Sequence, residues 1–454
     1  CVGMSAEKLV IVGGDAAAMS AASQARRGRT DLGIVAFEKG PYVSYAACGI
    51  PYYVSGLVDD FDKLLIRTPE EFRQRQSIEA RVRQEVVHIL PAEAKVVVRD
   101  LESRREYEEP YDHLLIATGG KAVWPALPGI DSQGVFSVTS LDDAKALRER
   151  LEQERPEHAV IVGGGYIGLE MAEAFMRRSL DVSIVGRAPQ LLRTIDADMG
   201  ALVSEALTKA GAHLYLGEAA TAFEETGGRV AAVVTEKRKL PADLVVVGVG
   251  FGPNTDLARE AGLSLGLKNA IKVDDHMRTA VERVWAAGDC VETVQLVTGR
   301  PHWASVATVA SKQGRVAGTN IAGGDASFKG THGTMITKAG PVEIARTGLS
   351  ETDLSDGEIP FVSVKIDTRT SARYYPGSEP MSVKLIAERG AGRLLGGQIV
   401  GGAGAAMRIN VLATALQARM TIDDVARLDL AYAPPFSSVW DPLLLAAREL
   451  CAEC

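Results

Sequence analysis

The chain has 454 residues, 46% apolar and 24% charged, with a formal net charge of -8. That length and balance describe an ordinary globular protein of several domains, and the acidic charge speaks against a nucleic-acid partner. No apolar run approaches the ~18 residues that would span a bilayer, no basic-then-apolar leader opens the chain, and five cysteines give no disulfide framework. A cytoplasmic protein is therefore expected. "CVG" before Met4 is set aside as a cloning remnant or an upstream start.

The first element is "KLVIVGG", residues 8–14, a β-branched run ending in glycines. An alanine-rich helix, "AAAMSAASQARRG", and a second strand, "LGIVAFEKG", complete a βαβ unit of the dinucleotide-binding kind. Its loop reads Gly13-Gly14-Asp15-Ala16-Ala17-Ala18, so Asp15 replaces the second glycine of the fingerprint and Ala18 the third. An acid there repels a pyrophosphate unless it points away. Glu38, ending the second strand, stands where an acid holds a ribose hydroxyl pair. "SYAACGIPYYVSG" follows, with Cys48 alone between small residues and Pro51 suited to an early helical position. A buried, inert thiol and a reactive thiolate are both open readings of Cys48 at this point. "YDHLLIATGG" closes the unit.

The layout then repeats. "HAVIVGGGYIGLEMAEAFMRRSLDVSIVGR", residues 158–187, carries the complete fingerprint Gly163, Gly165 and Gly168 between strand and helix. Its second strand ends in Gly186 and Arg187, with no acid. A missing acid removes repulsion of a 2′-phosphate and a guanidinium can pair with it, which favours NADP over NAD, although Arg187 as a plain surface charge stays open. "ADLVVVGVGFGPNT" closes this unit, and "RVWAAGDCVE" resumes the first, giving a nested order. From about residue 328 the pattern changes to antiparallel strands, at "VEIARTGLS", "FVSVKID", "MSVKLIAE" and "LLGGQIVG", followed by helices at "AAMRINVLATALQAR" and "TIDDVARLDL". The terminal "LCAEC" spaces Cys451 and Cys454 as a redox pair or a partial metal site, but a loose tail is expected; Cys290 is expected to be a small buried residue.

The order of glycine motif, acid, lone cysteine, "LLIATGG", "VIVGGGYIGLE", "AAGDC", "YYPG" and "YAPPFSS" resembles the flavoprotein disulfide reductases that carry one redox cysteine. It is most similar to coenzyme A disulfide reductases and their NADH oxidase and persulfide reductase relatives. The resemblance implies an α/β fold: two Rossmann-like dinucleotide-binding domains, for FAD (4–120 with 272–327) and NAD(P)H (121–271), and a C-terminal α+β dimerisation domain (328–454). It assigns Gly13, Gly14, Ala16, Ala17, Glu38, Lys39, Val82, Thr118, Gly119, Gly288 and Asp289 to FAD. Gly163, Gly165, Tyr166, Ile167, Gly168, Gly186 and Arg187 would hold the nicotinamide cofactor, NADPH before NADH. Ser20, Gln24, Arg27, Ser44, Ala47, Lys312 and Trp440 would meet coenzyme A, although many such reductases have Asn in place of Ala47. No metal is expected.

Reductases of the glutathione type use a second cysteine five residues on, where this chain has Tyr53. Cys48 therefore acts alone, as thiolate, mixed disulfide or sulfenate. Tyr432, with Tyr374, matches the tyrosine pair that the family places near the cysteine across a homodimer, where a phenol can protonate a departing thiolate. Tyr375 is the weaker candidate of its pair. Peroxide-reducing relatives carry a histidine where this chain has Ala16, which points away from peroxide chemistry, and the chain is too short for a fused rhodanese domain. The expected activity is reduction of coenzyme A disulfide through a Cys48–S–S–CoA adduct. The rivals are a persulfide or polysulfide reductase, an NAD(P)H oxidase, and a redox-sensing flavoprotein scaffold.

Overall fold

A computed structural model describes residues 7–454. The "CVG" segment and Cys1 lie outside them. Contacts gather the chain into two units: one running to Ile50, with Val58–Ala122 and Phe251–Thr331, the other made of Pro51–Leu57, Val123–Gly250 and His332–Cys454.

In the first unit the strand Lys8–Val12 is central to a parallel sheet, in the order Val284–Ala286, His113–Ile116, Lys8–Val12, Gly33–Glu38, Glu79–Val82. Its strands are unbroken apolar runs because both faces are covered; Leu9, Val10 and Ile11 are fully buried. One face lies under the helix Ala16–Gly28, which in turn packs on the helix Ala307–Ile321. Gly314 and Gly318 allow that approach. A Cβ on Gly314 would sit 2.2 Å from the Ala17 carbonyl oxygen, and one on Gly318 2.3 Å from that of Ala21. The other face meets the antiparallel strands Gln84–Leu90 and Lys95–Asp100, whose Val86, Val96 and Val98 share a core with Val10 and Val35.

The strand Phe251–Pro253 pairs with Gly120–Ala122, and the Asn254 N–H donates to the Gly119 carbonyl at 3.0 Å. The boundary anticipated at 272 therefore moves: residues 251–271 pack with the first unit, because this pairing ties them there.

The second unit holds the second parallel sheet, in the order His213–Leu216, Asp181–Gly186, His158–Val162, Leu244–Val247, Val135–Phe136. It also holds an antiparallel sheet, in the order Met335–Ala339, Val342–Gly348, Leu394–Gly401, Pro380–Glu388, Phe361–Arg369. Four of these strands match the apolar runs of the sequence; Met335–Ala339 is a fifth. The helices Ile409–Gln417 and Ile422–Ala426 follow, the latter opened by a Thr421/Asp424 capping box and shorter than its sequence pattern suggested. "LCAEC" is not a loose tail. The helix Pro442–Cys451 runs into it, capped by the Asp441 carboxylate at the Leu443 N–H, with Leu443, Leu444, Ala447 and Leu450 buried. Burial of that apolar face is what orders the segment.

Candidate active site

The first glycine loop leaves the strand Lys8–Val12 with Gly13 at φ +122, where a Cβ would lie 2.2 Å from the Ala117 carbonyl oxygen. Only glycine fits that conformation and that approach. Gly14 is equally confined, its missing Cβ falling 2.7 Å from Val43 and 2.8 Å from Glu38. The Glu38 carboxylate accepts the Gly40 N–H at 2.7 Å and the Gly14 N–H, while burial holds its pKa above the usual carboxylate range. Lys39 beside it is exposed, and Val82 is the strand partner of Glu38. Ala16 and Ala17 open the helix, with Gly288 held 2.9 Å short of Ala17 if it carried a Cβ and its N–H bonded to Gln313 Oε1. Asp289, its pKa raised by burial, accepts the Ser305 hydroxyl, and Thr118 Oγ1 donates to the Asn254 carbonyl at 2.6 Å. Gly119 has φ +68. Amides at a helix start, an acid at the strand end and close backbone are what an FAD diphosphate and adenosine ribose require, so these residues could hold that cofactor.

Cys48 belongs to the same unit. It sits exposed in the 3-10 turn Ala47–Gly49, which runs straight into the short helix Ile50–Ser55; the Ile50 N–H bonds back to the Ala47 carbonyl. A Cβ on Gly49 would strike Leu64 at 2.5 Å, which explains the glycine beside the thiol. Ser44, with φ 48, accepts the Ile66 N–H at its carbonyl, and Ala46 donates to the Leu64 carbonyl. On the helix Ala16–Gly28, Ser20, Gln24 and Arg27 fall three and four residues apart and share a face. Arg27 is exposed and donates to Gln24 Oε1 at 3.3 Å. Lys312 is exposed on the helix Ala307–Ile321. Cys290 has the opposite setting: fully buried, its S–H directed to the Ala287 carbonyl, its pKa pushed up to about 11 by burial. It is an inert core thiol.

The second loop follows the fingerprint glycine by glycine. Gly163, φ +122, would place a Cβ 2.2 Å from the Gly248 carbonyl oxygen, and Gly168 one 2.1 Å from that of Gly163. Above Gly165 there is open space, with nothing within 4 Å, as backbone approach by a diphosphate needs. The helix Tyr166–Arg177 starts there, and Ile167 follows in its first turn. The Tyr166 hydroxyl pairs with Thr194 Oγ1 at 3.1 Å, and Arg346 donates to the Thr194 carbonyl. Gly186 and exposed Arg187 end the strand Asp181–Gly186.

Two residues outside the expected set join this region. Glu170, one turn on from Tyr166, accepts the Thr337 hydroxyl at 2.8 Å, and burial raises its pKa; its helical spacing from Tyr166 was a readable signal. Arg193 is exposed in the loop after Arg187, which the Leu192 N–H ties to the Gly164 carbonyl at 2.8 Å. No periodicity marks it, since that tie is a tertiary contact.

Tyr374 and Tyr432 meet in the second unit and share a side-chain hydrogen bond that holds the Tyr432 pKa above the usual phenol value. Their loops are joined by the Ala372 N–H to the Pro434 carbonyl at 3.1 Å. Around them Phe436, Val439 and Trp440 are exposed, with Arg448 stacked 4.8 Å over the Trp440 ring. Among the described residues no helix is long and apolar enough to cross a membrane.

Residues 7–314 match the pyridine nucleotide-disulphide oxidoreductase family, and 334–443 match the dimerisation domain of such oxidoreductases. A CoA-dependent NAD(P)H sulfur oxidoreductase of Pyrococcus abyssi is 41% identical over 445 residues, 97% of this chain and 98% of the relative. A coenzyme A disulfide reductase of Staphylococcus haemolyticus is 28% identical over 433 residues, 95% and 96% of the two chains. The solved structure of a NAD-dependent persulfide reductase from A. fulgidus superposes with TM-score 0.95 at 38% identity, covering 98% of this chain and 83% of that one. The nested glycine loops and the matched dimerisation domain thus lead to one conclusion: the chain belongs to the pyridine nucleotide-disulphide oxidoreductases and is an NAD(P)H-dependent flavoprotein.

Proposed function

We propose that the protein uses NADPH to reduce a sulfur–sulfur bond carried by coenzyme A, with Cys48 acting alone. One observation carries this reading: an exposed thiol enters a helix that has Tyr53, not cysteine, five residues on. The second sulfur must then come from substrate. Cys48 thiolate attacks coenzyme A disulfide, a Cys48–S–S–CoA bond forms, and one coenzyme A thiolate leaves. Tyr432, hydrogen-bonded to Tyr374, protonates that thiolate across a homodimer. The chemistry that FAD supplies when bound is the passage of two electrons from NADPH to this adduct, which returns Cys48 thiolate and frees the second coenzyme A. Ser20, Gln24 and Arg27, with Ser44, Ala47, Lys312 and Trp440, hold coenzyme A, Arg27 through phosphate. Arg187 and Arg193, with no acid after Gly186, favour the 2′-phosphate of NADPH.

A second reading is favoured by the identity of the named relatives, which is higher for the sulfur and persulfide enzymes than for the coenzyme A disulfide reductase. Coenzyme A persulfide would give the same Cys48–S–S–CoA adduct, with hydrosulfide in place of coenzyme A as leaving group. Ala16, where a histidine would serve peroxide, speaks against an oxidase.

The test is a panel at fixed NADPH, then NADH: coenzyme A disulfide, coenzyme A persulfide, polysulfide, glutathione disulfide and oxygen. Coenzyme A disulfide is expected to turn over fastest, with NADPH preferred, and Cys48→Ser is expected to abolish disulfide reduction with flavin still bound. Faster sulfide release selects the second reading. Preference for NADH removes the role of Arg187 and Arg193, and normal turnover by Cys48→Ser overturns the mechanism.

A further inference from the structure

Between the strand Asp181–Gly186 and the helix Ala197–Lys209 the chain runs without helix or strand, and this segment carries the exposed Arg187 and Arg193. Leu192 sits in it at φ 48. A leucine is strained in the left-handed region and stays there only where its surroundings fix it. One side of that fixation is the second glycine loop. The Leu192 N–H bonds to the Gly164 carbonyl at 2.8 Å, and a Cβ on Gly164 would lie 2.7 Å from the Leu191 side chain. The other side is the antiparallel sheet of the dimerisation domain.

That sheet grips the segment with one polar row. Arg346 on Val342–Gly348 stands opposite Gln398 on Leu394–Gly401, and Gln398 opposite Lys384 on Pro380–Glu388. Three neighbouring strands thus set three polar side chains side by side, and all three reach the same stretch of chain. Arg346 Nη1 donates to the Thr194 carbonyl. Gln398 Oε1 accepts the Asp196 N–H at 2.8 Å, and its Nε2 donates to the Asp196 carboxylate at 2.7 Å. Lys384 Nζ reaches that carboxylate at 3.2 Å, with Asp198 at 2.9 Å and Glu351 at 3.0 Å. Lys384, Gln398 and Asp196 are only 4%, 1% and 2% exposed. Apolar side chains could join the same surfaces without burying charge. What a bonded polar row adds is a single geometry for the backbone it holds.

Arg193 lies between the two anchored residues, with Leu192 held by the glycine loop and Thr194 by Arg346. Arg346 is itself fixed, its Nη2 donating to the Gly348 carbonyl at 2.6 Å and to the Asp353 carboxylate at 3.3 Å. We propose that Arg346, Gln398 and Lys384 are positioning residues for cofactor specificity: by fixing residues 194–196 they hold Arg193 where it meets the 2′-phosphate of NADPH. None of the three needs to touch the cofactor. A backbone fixed beforehand lowers the ordering cost when the guanidinium closes on phosphate. This role rests on the assignment of Arg187 and Arg193 to that phosphate.

Adenosine 2′,5′-bisphosphate and adenosine 5′-monophosphate differ only in the 2′-phosphate, and their binding to the FAD-loaded full chain, measured by calorimetry, needs no turnover. Wild type is expected to bind the bisphosphate more tightly, and Arg193→Ala to lose about tenfold of that preference, the effect of one charge-assisted contact. Arg346→Met and Gln398→Met should each lose several-fold on the bisphosphate, keep the affinity for the monophosphate, and lose nothing further when combined with Arg193→Ala. Arg346→Lys, which keeps one donor for the Thr194 carbonyl, should regain most of the loss. A wild type that binds both ligands alike overturns the phosphate assignment and the positioning role with it. If wild type and Arg193→Ala behave as expected while Arg346→Met and Gln398→Met match wild type, the positioning role alone is overturned. Equal weakening of both ligands marks the row as a structural joint, and losses that add to that of Arg193→Ala exclude action through Arg193; either result overturns the role.

Discussion

Cys48 and Cys290 mark two fates of one functional group. The first is exposed on a turn; the second is buried, with a pKa near 11, and is a thiolate at no ordinary pH. The tyrosine pair belongs to the same scale. Because Tyr374 and Tyr432 share a hydrogen bond, Tyr432 keeps its proton to a higher pH than a lone phenol with its ordinary value of 10.0. A raised acid pKa means the protonated donor persists as pH rises, so no basic limb below pH 10 should come from this group. Tyr432→Phe is expected to lower turnover on a disulfide about 100-fold, the low end of general-acid contributions. A pH–rate profile of both proteins checks this; a basic limb at pH 7–9 that vanishes in Tyr432→Phe would contradict it. Cys48, Tyr53 and Glu38 were legible residue by residue in the sequence. The bond from the Thr118 hydroxyl to the Asn254 carbonyl was not, since 136 positions separate the partners and no local period links them.

At the scale of elements, the two glycine loops are built alike and their helices are supported differently. The helix Ala16–Gly28 rests on Ala307–Ile321 through Gly314 and Gly318, with backbone against backbone. Gly314→Ala would put a methyl group 2.2 Å from the Ala17 oxygen, at the very start of the helix whose first amides could hold an FAD diphosphate. Overpacking of this kind costs typically ~1–3 kcal/mol. We therefore expect Gly314→Ala to lower the denaturation midpoint and to weaken FAD retention together, measured by denaturant unfolding and by flavin released on dialysis. Unchanged flavin retention would show that the helix start is held by the loop alone. The strands and both βαβ units could be read from apolar runs ending in glycine. The helix Pro442–Cys451 could not, because its apolar residues gain their meaning only where a sheet covers them.

At the scale of the whole molecule, the dimerisation domain leaves Phe436 74% and Val439 68% exposed beside the tyrosine pair, an apolar surface of the sort that subunit contacts cover. A solution mass of two 48.2 kDa chains is expected by light scattering, and Phe436→Asp should shift it toward one chain with loss of disulfide reduction. A fully active monomer would remove Tyr432 from the partner's chemistry. By itself the sequence marked the two glycine loops, the lone cysteine of residues 44–56 and the change to antiparallel strands after about residue 328, because each rests on residues adjacent in the chain or spaced by one local period. Tertiary structure alone decided that 251–271 returns to the first unit and that Arg193 lies beside the second glycine loop. Those contacts join distant positions, and only chain closure brings their hydrogen-bonding groups within reach.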